Sequence, residues 1–261
     1  MKKLLAAFMI FKVAYWLVDL KLLFSARSIA YHNDVLVEWW KQPIFILYNS
    51  DSVVLATIFL ICAAIASILV LLNFKYSRGL FFLLWIIVSN INNKVFCTLT
   101  GGDLLFQQLL FFATFLSTGH INGESAIAIL NKAIHNTGVL ALRLQLCVLY
   151  FMAGYTKMVD PDWISGNAIS KIFRIYDYNI PLFYDFSASA FTTFLNYTVV
   201  FYQLLFPILV WIRSIKKCFL AIGIIQHLFI AFAFGLPTFG FIMVISYAIF
   251  YAPSFKTNQL T

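Results

Sequence analysis

The sequence predicts an all-α fold, a polytopic transmembrane helical bundle of about eight spans, N-in and C-in. Three observations carry this expectation. Of 261 residues, 62% are hydrophobic and 11% are charged, against about 25% charged in an ordinary soluble domain. The apolar residues, 29 phenylalanines among them, fall in runs able to cross the ~30 Å of a bilayer's hydrocarbon. Basic residues cluster at alternate connections between those runs, as the positive-inside rule requires of one cytoplasmic face. A soluble globule has too little interior for so much apolar surface, so lipid must cover much of it.

The first run covers residues 4–24, and the second, VVLATIFLICAAIASILVLLNF, covers 53–74. A third runs from Leu80 toward Cys97 and turns polar in its second half, SNINNK. There Asn90, Asn92, Asn93 and Lys94 need neighbouring helices or water to receive them. The fourth run is short, 103–118, and the fifth is 138–157. The sixth is 187–212, the seventh 217–235 and the eighth 238–252. The opening MKKLLAAFMIFKVAYWLVDL has the lysines and apolar run of a signal peptide. Lys12 interrupts that run and no small-x-small cleavage site closes it, so a retained first helix is expected.

Eight crossings place Lys2 and Lys3, Lys75 and Arg78, Arg213 to Lys217, and Lys256 together on the cytoplasmic side. The outer face then carries the connections 25–51 and 158–186 and the short turns TLTGGD and GLPTFG. Trp39 and Trp40 in the first of these suit the headgroup level. In the cytoplasmic connection 119–137, Ile127, Leu130 and Ile134 recur at helical spacing, which predicts a short interfacial helix. Residues 1–261 read as a single transmembrane domain with no separate soluble domain, in a bacterial-style cytoplasmic membrane.

A net charge of +8 invites a nucleic-acid reading, but the 18 Lys and Arg form no continuous stripe. Cys62, Cys97, Cys147 and Cys218 lie far apart without CxxC or zinc spacing, so neither a disulfide framework nor a metal site is expected. Phosphate-loop, dinucleotide, nucleophile-elbow and HExxH patterns are absent from the sequence. So are the inverted repeats and paired broken helices of many transporters.

The chemistry-bearing residues are few. Lys157 closes the fifth run and is followed by Asp160, Pro161, Asp162, Trp163 and Gly166. It is either a snorkelling anchor or a partly desolvated amine that accepts a proton as a general base. Arg143 precedes it by fourteen residues on the same helix, within about 40° of one face. A guanidinium at that depth should face the bundle and find partners. His227 sits near the middle of the seventh run, where it either hydrogen-bonds a neighbour or relays a proton. Lys12 and Asp19 share a face of the first run but lie roughly 10 Å apart along it, so each needs another partner. Gly101, Gly102 and Asp103 read as a tight turn with Asp103 as the N-cap of the next helix.

The segment RLQLCVLYFMAGYTKMVDPDWISGNAI resembles the pattern of HTTM membrane domains, shared by vitamin K-dependent gamma-carboxylases and many bacterial proteins. The matching features are Tyr150 and Phe151, Ala153 and Gly154, Lys157, Trp163 and Gly166. A second match is QHLFIAFAFGLPTFGFIMVISYAIFYAPSF, where a histidine-bearing helix leads through a Phe-Gly turn into the last run. The GGD turn and FSARSIAYHND fit more loosely. The resemblance implies that Lys157 is a catalytic base, with His227 as its intramembrane helper. Arg143, Asp162, Trp163, Gly101 and Gly102 are the candidate substrate-binding positions, and a quinone-like lipid is the candidate cofactor. Thr156 stands where the carboxylases carry a second lysine, and their large C-terminal peptide-binding domain has no counterpart here. Size and the GGD turn resemble the SdpB-like bacterial branch, associated with a secreted antimicrobial peptide. Two functions follow as expectations. One is a membrane enzyme or peptide-maturation factor acting at the outer face, on a lipid or on a peptide presented by a soluble partner chain. The other is a non-enzymatic scaffold, export or immunity module for a small secreted peptide.

Overall fold

The computed structural model describes residues 1–25, 46–47, 50–117, 125–175 and 190–252. Trp39, Trp40 and most of FSARSIAYHND lie outside these residues. Among the described residues all regular structure is helical. The chain forms two compact units, Met1–Val139 with Ala252–Thr261, and Leu140–Tyr251.

The first unit holds α1 (Lys2–Val18), α2 (Leu20–Phe24), α3 (Val53–Leu71), α4 (Ser77–Lys94) and α5 (Gly101–Ala113). It also holds the first part of α6 (Ala126–Val159). Helix α3 packs against α1 and α4, and α4 packs against α5. Val54, Ile58, Ile61, Ile65 and Ile68 form an exposed stripe along α3, while Ala56, Leu60, Ala63, Ser67 and Val70 are buried. Branched apolar side chains outward with several small residues inward is the packing of a helix whose solvent is lipid. Ser52 caps α3 by accepting from the Leu55 N–H at 3.2 Å. Its other end is closed by Asn73 at φ 60°, with Phe74 N bonding Leu69 O and Asn73 N bonding Val70 O. That pair of bonds defines a Schellman stop, in which Asn is the non-glycine residue best suited to the left-handed position.

The polar end of α4 is received by protein. Asn90 accepts from the Leu47 N–H and donates to Ile86 O. Asn92 donates to the Gln107 side chain at 2.9 Å, Asn93 donates to Ser89 O, and Lys94 pairs with Asp51 at 2.8 Å. The polar run at the end of α4 thus consists of packed residues that each make a hydrogen bond or ion pair.

The second unit comprises the rest of α6, then α7 (Pro161–Ile164), α8 (Ala168–Phe173), α9 (Ala190–Leu209), α10 (Lys216–Ala233) and α11 (Pro237–Ser246). A 3-10 segment, Tyr247–Tyr251, continues α11. Pro207 lies inside α9, where it cannot donate to the Gln203 carbonyl one turn earlier. Helices α3, α6, α9 and α10 are long and apolar enough to cross a membrane, and Pro237–Tyr251 is a shorter apolar helix.

Two boundaries differ from the sequence expectation. The interfacial helix expected in 119–137 and the fifth run are one helix, because α6 runs unbroken over 34 residues. The fourth run ends early: α5 stops at Ala113, and Thr114, Phe115 and Leu116 close tighter turns on the residues three before them.

Candidate functional site

The loop after α6 is built around Asp160. Its carboxylate accepts from the Asp162 and Trp163 backbone N–H groups at 2.8 and 3.3 Å, capping α7 with Pro161 at its first position. Gly166 has φ 77°, and a Cβ there would lie 2.9 Å from Thr193 Cγ2, so glycine is required twice over. The turn is tied to α9 by Asn196 Nδ2 donating to Trp163 O at 2.8 Å and by the Tyr197 hydroxyl donating to Ile164 O.

These restraints place the Trp163 ring beneath Lys157, whose Nζ is 5.0 Å from the ring centroid. Lys157 is half-buried and donates one hydrogen bond, to Ala153 O on its own helix. Of the neighbouring carboxylates, Asp162 is paired with Lys171 at 2.5 Å, and Asp160 is held in the cap and acts on Lys157 only through its charge at longer range. Among the described residues Lys157 therefore forms no ion pair, whereas Lys12, Lys94 and Lys171 each pair with an aspartate.

His227, 2% exposed, lies in a cluster of tyrosines. Its Nε2 is 2.6 Å from the Tyr150 hydroxyl. Tyr150 is hydrogen-bonded in turn to the Tyr247 hydroxyl, and Tyr247 lies 3.2 Å from the Tyr202 hydroxyl. Tyr202 ends the line by donating to Phe219 O at 3.3 Å. Gly223, one turn before His227 on α10, makes room for this line, because a Cβ there would overlap the Tyr202 and Tyr247 hydroxyl oxygens. Gly240 likewise lets α11 come against the His227 carbonyl.

Arg143, Tyr150 and Lys157 recur every seven residues along α6 and so share one stripe. Arg143 donates its Nε–H to Ile249 O at 3.2 Å, which meets the expectation of an inward-facing guanidinium. Lys157 and His227 are not brought into direct contact. Tyr150, which touches His227, lies two helical turns from Lys157, roughly 10 Å along the axis.

In the first unit, Gly101 and Gly102 are the opening residues of α5, in the turn closed by the Asp103 N–H donating to Thr100 O at 3.0 Å. Asp103 is not the N-cap, as the sequence suggested. Thr100 holds that place, and Asp103 in the first turn accepts from Thr100 N and Thr100 Oγ1 at 2.8 Å each. Its other oxygen meets Lys12 at 2.5 Å, the partner that Asp19 could not be.

Tyr202, Tyr247, Gly223 and Asn196 are parts of the second unit's sites that do not stand out in the sequence. The heptad spacing of Arg143, Tyr150 and Lys157 and the one-turn spacing of Gly223 and His227 are the two signals that point toward them.

The long apolar helices and the outward apolar stripe define a multi-pass helical membrane protein. The HTTM domain model matches residues 8–255, and the chain belongs to the HTTM family. No curated protein and no solved structure matches it.

Proposed function

We propose that this HTTM protein is a membrane-embedded enzyme or peptide-maturation factor that uses Lys157 as a base at the extracytoplasmic face. The observation that supports the reading is the state of Lys157: half-buried, held over Trp163, and with no carboxylate at ion-pair distance among the described residues, Asp160 acting on it only from further off. A lysine that is not neutralised by an ion pair and is partly withdrawn from water is the kind that works as a neutral amine. His227 is the helper, two turns away through Tyr150. The substrate is a group with an acidic hydrogen on a quinone-like lipid or on a peptide brought by a partner chain. Arg143, Asp162 and Trp163 shape its surroundings in the second unit, and Gly101 and Gly102 of the first unit are separate candidate substrate-binding positions. In this reading the chain crosses a cytoplasmic membrane about eight times, N-in and C-in, and sits close to the carboxylase-like and SdpB-like branches of the family.

Native mass spectrometry of the protein in mild detergent tests the substrate class. A retained quinone or peptide, lost in Lys157→Met, is the expected result, and a ligand retained equally by both proteins argues against a role for the lysine. The second reading is a non-enzymatic scaffold, export or immunity module for a small secreted antimicrobial peptide. It is favoured by the separation of Lys157 from His227 and by the cation–aromatic contact, which would also suit an interfacial anchor.

A further inference from the structure

The hydroxyl line beside His227 has a direction. Its contacts are four: Tyr202 to Phe219 O, Tyr202 to Tyr247, Tyr247 to Tyr150, and Tyr150 to His227 Nε2. A backbone carbonyl only accepts, so the contact to Phe219 O is filled only when Tyr202 gives it its proton. Tyr202 oxygen then has to accept from Tyr247, Tyr247 from Tyr150, and Tyr150 from the imidazole. Three hydroxyl protons fill three contacts, and the fourth is filled only if Nε2 carries the ring proton. The other neutral tautomer leaves one contact without a proton and places an N–H at Nδ1, a buried atom with no hydrogen-bond partner among the described residues. Burying an unsatisfied donor costs on the order of 1–3 kcal/mol.

We propose that Tyr202, Tyr247 and Tyr150 are positioning residues that hold His227 as its Nε2–H tautomer and present Nδ1 as a bare acceptor. So held, Nδ1 can accept a hydrogen from an O–H or N–H group and has none to give to a carbonyl or an oxyanion. This rests on the reading of His227 as the helper in the proposed function, and it names the atom that helps. The line does not conduct protons, because its far end is a carbonyl that cannot pass one on. It orients and polarises. Gly223 belongs to the device, since any larger residue would displace the Tyr202 and Tyr247 hydroxyls that set its direction.

The test is nitrogen-15 NMR of the full-length protein, labelled at the histidine ring nitrogens and kept in mild detergent. The chain has four histidines, and the His227 signals are those missing from the spectrum of His227→Gln. The expected result is one neutral tautomer with a protonated Nε2 and an unprotonated Nδ1. Tyr202→Phe removes a hydroxyl that never touches the imidazole and frees the line to run either way. It should therefore turn the single tautomer into a mixture, as should Gly223→Ala. A proton on Nδ1 in the unaltered protein overturns the proposal, as does an unchanged tautomer in a folded Tyr202→Phe. The unaltered protein alone decides if the variants fail to fold. Because no activity is read, a failure here is distinct from a failure of the base role of Lys157.

Discussion

Lys12 on α1 and Asp103 on α5, 91 residues apart in sequence, meet at 2.5 Å with side chains 4% and 7% exposed. Each has further support. The lysine Nζ lies 4.5 Å from the Trp16 ring centroid, and the second Asp103 oxygen accepts from Thr100 N and Thr100 Oγ1. Removing one charge of a buried pair leaves the other uncompensated, at a cost of about 3–5 kcal/mol, whereas removing both costs much less. Lys12→Met and Asp103→Leu should each lower the unfolding midpoint in detergent strongly, and the double variant should regain most of the loss. Additive single-variant losses would show that the two charges are not coupled.

Much of this arrangement was legible as a requirement and not as a pairing. An apolar run carrying Lys12 needs a counter-charge, and Asp19 was too far along the helix to supply it. That Asp103 supplies it is a tertiary fact. Thr100 and Asp103 are both capping residue types three positions apart, and only the backbone decides which one is the cap. The start of α6 was obscured because Asn131, Lys132, His135 and Asn136 dilute its apolar pattern, although helix formation does not require an apolar surface. His227 and Lys157 stood out because titratable groups are scarce in such runs. Tyr202 and Tyr247 could not, since 13 tyrosines are spread along the chain and an amphipathic ring suits almost any depth near an interface.

Arg143 supports the last segment of the second unit. Its Nε–H bonds to the carbonyl of Ile249, a fully buried residue in the 3-10 segment. Arg143→Leu takes a charged donor away from that buried carbonyl, and a hydrogen bond to a charged group is worth about 1.5–3 kcal/mol. Thermal unfolding in detergent should show a lower midpoint for Arg143→Leu. An equal or higher midpoint would mean that the guanidinium contributes nothing to packing.

The orientation can be read chemically. Asn167 follows Gly166 in the α7–α8 turn and Ser214 lies between α9 and α10, and both are exposed. In a background whose four native cysteines are replaced by serine, Asn167→Cys should react with an impermeant maleimide in intact cells. Ser214→Cys should react only after the membrane is opened. The reverse pattern would put Lys157 on the cytoplasmic side and remove the proposed face of action.

Lys157 separates an anchor from a base. An anchor needs a long stem and a charge that can lie on the Trp163 ring, and arginine offers both. A base needs a proton that can leave, and a guanidinium keeps its proton at any accessible pH. Lys157→Arg should therefore insert and fold normally, retaining the contact with Trp163 and the bond to Ala153 O, and yet lose function. Lys157→Met should lose it as well. Loss of a general base lowers rates by about 10²–10⁴-fold, far more than variation in membrane abundance would produce. The readout is peptide maturation or producer immunity at equal protein level, whichever the neighbouring genes indicate. Trp163→Leu is the control, because it removes the ring but keeps the amine. Under the base reading it should reduce activity less than Lys157→Arg does, and under the anchor reading it should be the more damaging of the two. Full activity of Lys157→Arg would make the lysine an anchor on its tryptophan and end its case as a base.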